Sequence, residues 1–159
     1  MLRFTLALTL MTGLYLLGTQ PVLADDLHHH SAYSQDPEPE PCVTSETSLC
    51  LGKGRFQVDV AWQNAQGQSG FASHVELSDG AAYFWFFDRE NPEVFVKIID
   101  ACAAPFDRYW VFLAGLTDVG VVLTVTDTAT GESKSYINPQ GNRFEAVQDT
   151  DAFAGCSVD

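Results

Sequence analysis

The sequence predicts an all-β domain: a single antiparallel β-sandwich, immunoglobulin- or fibronectin-like, of about seven strands, with a small β-barrel as the alternative. Three observations carry this expectation. Apolar residues recur in short runs with the alternation of a half-buried strand. Turn-forming residues separate those runs at regular spacing. No amphipathic helical pattern follows the N-terminal segment.

Each element has its own signal. Phe56, Val58, Val60 and Trp62 alternate with Arg55, Gln57, Asp59 and Ala61, which predicts a strand apolar on one side. Asn64 to Gly70 is polar and glycine-rich and reads as a loop. Phe71 to Leu77 is a weaker strand, closed by a turn at Ser78-Asp79-Gly80. Tyr83-Phe84-Trp85-Phe86-Phe87 follows, bulky on both faces of whatever sheet holds it. Asp88 ends the run, and Arg89-Glu90-Asn91-Pro92 turns the chain into a strand from Glu93 to Asp100. A loop from Ala101 to Asp107 leads to Arg108–Ala114, again apolar on both faces. Val119, Val121, Leu123 and Val125 alternate with Gly120, Val122, Thr124 and Thr126. Asp127 to Glu132 reads as a hairpin connection in which Gly131 is free to adopt positive φ. Ser133 to Ile137 returns, Asn138-Pro139 ends it, and the remainder to Cys156 is either an edge strand or a tied-down tail.

The N-terminus predicts export. Arg3 precedes an apolar stretch from Phe4 to Leu17, and Val22-Leu23-Ala24 places small residues before a cleavage point at Asp25. The rival reading is an N-terminal membrane anchor. The expected organisation is a signal peptide at 1–24, a disordered acidic and proline-rich linker at 25–41, and a disulfide-stapled domain at 42–159. The expected location is periplasmic or secreted, with no membrane insertion after cleavage.

Removing Arg3 with the signal takes the formal net charge from −13 to −14. That balance opposes nucleic acid and anionic membranes as partners. Four cysteines, Cys42, Cys50, Cys102 and Cys156, read as two disulfides in an exported chain, with three connectivities open.

Several strings occur together: Leu49-Cys50-Leu51, Tyr83-Phe84-Trp85-Phe86-Phe87-Asp88, Val96-Lys97, Tyr109-Trp110-Val111-Phe112, Thr124-Val125-Thr126-Asp127-Thr128 with Thr130-Gly131, Tyr136 with Asn138-Pro139, and Asp149-Thr150 with Ala152-Phe153. In this combination the chain resembles an uncharacterised small β-rich module of secreted bacterial proteins, over roughly Cys42 to Cys156. The module occurs alone or appended to larger exported chains and has no established activity. The resemblance implies no catalytic residues. In similar modules the first two cysteines come together while the third can be absent, which implies the pairing Cys42–Cys50 and Cys102–Cys156.

Candidate chemistry is sparse. His74 is the one histidine after the linker, and Gly67-Gln68-Ser69-Gly70 lacks the spacing of a nucleophile elbow. Asp88, Glu90, Glu93 and Asp100 are candidate glycosidase carboxylates. Asp88 with Glu90 and Glu93, or Asp149 with Asp151, are candidate calcium ligands. His28-His29-His30 offers weak zinc or copper binding in the linker. The expectation is a protein that is not an enzyme and uses no cofactor: a binding or structural module for an unknown protein or glycan. A carbohydrate-binding module is the alternative, and an extracellular hydrolase the more distant one. The ligand-facing candidates are Tyr83, Trp85, Phe87 and Trp110. Tyr83, Trp85 and Phe87 are expected on one face of their strand, opposite Phe84 and Phe86, with Trp110 and Phe112 opposite Tyr109, Val111 and Leu113.

Overall fold

The computed structural model describes residues 41–156. The expected signal at 1–24, the expected linker as far as residue 40, the histidine triplet and residues 157–159 lie outside the described residues. Ten strands form: β1 (Ser48–Leu51), β2 (Phe56–Gln63), β3 (Ser69–Phe71), β4 (Ser73–Ser78), β5 (Ala81–Trp85), β6 (Val94–Ala101), β7 (Arg108–Gly115), β8 (Gly120–Asp127), β9 (Ser133–Asn138) and β10 (Val147–Phe153). They build two five-stranded antiparallel sheets. In the first, β1 and β3 share one edge of β2, and β8 and β9 follow on the other. The second runs β10-β7-β6-β5-β4. The sheets stack as a sandwich with open edges, so the barrel alternative does not apply.

Two expectations need correction. Ten strands form rather than about seven, because three short or irregular segments pair. β1 lies before the first alternating run. The stretch Ser69–Ser78 holds β3 and β4, divided at Ala72, whose amide still donates to the Val60 carbonyl at 2.8 Å. The C-terminal segment pairs as β10, with an irregularity between Asp149 and Phe153. The strand order also departs from the immunoglobulin arrangement, in which seven strands divide as A-B-E-D and C-F-G. Here four successive strands, β4 to β7, stay in one sheet, because short connections keep consecutive antiparallel strands adjacent.

The inner faces match the period-two reading. Phe56, Val58, Val60, Val121, Leu123 and Val125 from the first sheet meet Phe84, Val94, Val96, Val111, Leu113 and Phe153 from the second. Removing a ring such as Phe84 from this core costs roughly 3–5 kcal/mol. At Gly115 the second sheet touches the connection into β10. A Cβ there would lie 2.2 Å from Phe144 Cβ, so only glycine lets that ring close over the strand end. Gly131 takes φ +75° and donates to the Asp127 carbonyl, which closes the β8–β9 hairpin.

One end of the sandwich is held by a buried ion pair. Arg55 donates from Nε to Asp127 Oδ1 at 2.9 Å and from Nη2 to Oδ2 at 2.8 Å, a two-pronged contact with a fully buried carboxylate. Arg55 Nη1 donates to the Tyr109 hydroxyl at 3.0 Å, and Nη2 also donates to the Gly155 carbonyl at 3.0 Å. The guanidinium lies 4.4 Å from the centre of the Tyr109 ring. The hydrogen bonds to Asp127 outweigh partial desolvation and raise the Arg55 pKa further. This cluster joins the β1–β2 turn, the end of β8, the start of β7 and the C-terminal tail.

The tail is also tied covalently. Cys102–Cys156 closes a separation of 54 residues, and Cys42–Cys50 one of 8. By loop-closure entropy the long bridge contributes about 4 kcal/mol and the short one about 2.5 kcal/mol. Two outcomes follow for chemical denaturation of the full chain. Asp127→Asn leaves Arg55 without its counter-charge and lowers stability by about 3 kcal/mol; a loss below about 1 kcal/mol contradicts the clamp. Cys102→Ser/Cys156→Ser loses more stability than Cys42→Ser/Cys50→Ser, and the opposite order contradicts the entropic account.

Candidate functional site

The two outer faces of the sandwich differ in chemistry. On the first sheet, hydroxyls pair across strands: Thr124 with Ser135 at 3.0 Å and Thr126 with Ser133 at 2.8 Å. Gln57 donates to Asp59 on the same face. One apolar rung crosses this face near one end, Phe71, Ala61, Val122 and Ile137, with Phe71, Val122 and Ile137 exposed.

The outer face of the second sheet is aromatic. Strand pairing places Tyr83 beside Phe95 and then Ala114, and Ile99 beside Trp110. The next rung runs Ala81, Lys97, Phe112, Gln148 across four strands. Tyr83 and Phe95 sit 5.9 Å apart, Trp110 and Phe112 6.1 Å. Phe106, from the β6–β7 connection, stands edge-on to Trp110 at 5.0 Å and is 54% exposed. Tyr83, Trp85, Phe95, Trp110 and Phe112 are each partly exposed. With strands about 4.8 Å apart, β5 to β7 present a platform roughly 10 Å wide. Between its rings lies a hollow of about 400 Å³ bordered by Leu77, Ala81, Phe95, Lys97, Phe112 and Gln148.

Of the predicted ligand-facing aromatics, Tyr83, Trp85 and Trp110 occupy this face. Phe87 does not share it. β5 ends at Trp85, and the chain bends, so the alternation that would group Phe87 with Trp85 lapses. Phe87 instead packs edge-on against Trp62 of β2, 5.0 Å away, at the opposite end of the sandwich from Arg55. Phe84 and Phe86 are buried as their opposite parity requires. Phe112 shares the face of Trp110 as parity predicts; Phe95 escaped notice as a site candidate, and its offset of two from Lys97 along a strand apolar on both faces is the signal that marks it.

The acidic candidates divide between the turn after β5 and the end of β6. Glu93 and Asp100 lie seven residues apart along extended chain, about 23 Å, beyond the reach of a glycosidase pair. Asp88 Oδ1 accepts the Glu90 amide, and the buried Glu93 accepts from the Asn91 side chain. No group of three histidine, cysteine or acidic residues with metal-binding proximity occurs among the described residues. His74 turns inward, with Nε2 2.8 Å from the Ser45 carbonyl and its ring against Phe84. No protein-family model, curated protein or solved structure matches this chain.

Asp149, the other calcium candidate, joins the two sheets instead. Its Oδ2 accepts from the Tyr136 hydroxyl at 2.9 Å and lies 3.3 Å from Lys134 Nζ, both on β9, while Oδ1 accepts the Asp151 amide. Partial burial works to raise its pKa, but the Asp151 amide, Tyr136 and Lys134 outweigh it and hold the carboxyl below its ordinary value. Burial, then the hydrogen bond to Asp149, pushes the Tyr136 phenol up. A depressed carboxyl stabilises the fold fully above its ordinary value of 3.8 and loses that contribution as pH falls through its folded value. The melting temperature of Asp149→Asn should therefore fall less steeply than that of the wild type as pH drops below about 4. Parallel profiles would contradict this.

Proposed function

We propose that this chain is an exported, non-catalytic binding module that works through the outer aromatic face of its second sheet, and that the ligand is carbohydrate. The contrast between the two outer faces carries the reading. A sandwich of this size needs only its inner faces apolar; the first sheet meets water with hydroxyls and an amide apart from one apolar rung that holds a single aromatic ring, Phe71. On the second sheet, large rings stand outward where partial exposure forfeits much of the roughly 1.5–3 kcal/mol that full burial of such a side chain yields. An apolar patch kept at the surface against this cost marks an interaction site.

Flat rings suit the C–H faces of pyranose sugars, and Gln148 and Lys97 supply hydrogen bonds beside them. Two further features support export. The N-terminal segment has the layout of a cleavable signal. Paired cysteines suit an oxidising compartment.

Iodide quenching of tryptophan fluorescence tests the face. Trp85→Phe and Trp110→Phe should each remove an iodide-accessible fraction of the emission, whereas Trp62→Phe should remove mainly a protected one. Retention of the protein on insoluble polysaccharides should fall in Trp110→Ala with the melting temperature preserved. Full protection of Trp85 and Trp110 from iodide would remove the platform and this reading with it.

A further inference from the structure

We propose that the hollow on the aromatic face is a subsite for the uronate residue of an acidic polysaccharide, with Lys97 pairing to the sugar carboxylate. This rests on the reading of the face as a glycan platform and specifies its ligand. Alanines at two corners create the hollow: Ala81 on one rung and Ala114 on the next leave a depression in the sheet surface. Phe95 and Phe112, on the other corners, rise beside it. Its volume of about 400 Å³ is ample for a sugar ring.

The charge is as specific as the shape. Of the seven lysines and arginines among the described residues, Arg55, Arg108, Lys134 and Arg143 each have an acidic partner, while Lys53, Arg89 and Lys97 have none. Of these three, Lys97 alone lies on an outward rung of the aromatic strands. Lys97 is exposed and has no ion-pair or side-chain hydrogen-bond partner among the described residues. The chain carries 21 acidic against 8 basic residues, yet the outward positions of β5, β6 and β7 hold no aspartate or glutamate. Lysines also guard exposed sheet edges against pairing with other chains. That role does not account for Lys97, because β6 lies in the middle of its sheet. An ammonium set among rings, with the Gln148 amide on its own rung, matches a ligand that joins an apolar ring face to a carboxylate and hydroxyls. The platform extends past the hollow to Tyr83 and Trp110, which gives neighbouring sugars rings to stack on and favours a polymer over an isolated acid.

The negative net charge works against any polyanion, acidic polysaccharide included, so binding depends on the local contact at Lys97. Charges beyond about 8 Å are largely screened at physiological salt, whereas a direct ammonium–carboxylate contact is screened much less.

Affinity electrophoresis of the full chain through gels containing polygalacturonate or alginate, and through gels containing their carboxyl-reduced forms, tests the proposal. The wild type should be retarded more by an acidic polymer than by its reduced form. Lys97→Gln should bind the acidic polymer roughly tenfold more weakly and the reduced polymer unchanged, while Lys97→Arg keeps the preference. Equal retardation by acidic and reduced polymers, or a Lys97→Gln variant indistinguishable from wild type, overturns the uronate subsite and leaves the glycan platform standing. A wild type that binds no member of a broad glycan panel overturns both. So does a concentration-dependent dimer abolished by Trp110→Ala, since it would place a second copy of the chain on this face.

Discussion

The guanidinium of Arg55 is the point on which one end of the molecule depends. It meets a carboxylate with no solvent access, an aromatic ring from the other sheet and a carbonyl from the C-terminal tail. A charge in that position is tolerated only because its partners leave few donors unused. The same geometry fixes where the segments lie relative to one another. Asp127 ends β8 and opens the hairpin to β9, Tyr109 begins β7, and Gly155 directly precedes the cysteine that bridges back to Cys102. The long disulfide and the ion pair therefore act on one stretch of chain. The first limits where the tail can go, and the second gives its carbonyl a donor. At one open edge of the sandwich, Asp149 reaches from β10 to Tyr136 and Lys134 on β9, a second polar link between the sheets.

With the sheets held in this way, the core leaves the aromatic exterior unexplained. Phe84 and Phe86 fill the interior, and Phe56 meets Tyr109 and Phe153 there. Tyr83, Phe95, Trp110 and Phe112 take no part in that packing because strand geometry sends them the other way. The first sheet exposes one ring, Phe71, on a single apolar rung beside its threonines and serines, whereas the second turns five rings outward across three strands. The carbohydrate reading follows from that difference, and the unpaired lysine among the rings adds charge to it.

Much of the architecture was legible where the physics is local. The alternation from Phe56 to Trp62 and from Val119 to Thr126 marks β2 and β8, and Gly131 marks the turn after β8. The outward placement of Tyr83, Trp85 and Trp110 follows from parity along their strands. What depends on long-range packing was not legible. β1 and β3 are too short to show a period, and they form because each finds half of one edge of β2. The change of sheet at Ala72 leaves no mark in composition. Phe87 defied parity because β5 ends two residues before it. Arg55 and Asp127 are separated by 72 residues, and nothing in either neighbourhood announces the other. The hollow needed strand register, since it arises only when Ala81 and Ala114 fall on adjacent rungs.

The central claim is that ligands meet this protein on the outer face of its second sheet. A heteronuclear NMR titration with soluble glycan fragments, following the three indole Nε1–H resonances and the backbone amides, tests it most directly. The account predicts that Trp85, Trp110 and the amides around Lys97 shift together, while Trp62 stays fixed. Saturable shifts confined to Thr124, Ser135 and their neighbours on the opposite face, with Trp85 and Trp110 silent, would contradict it.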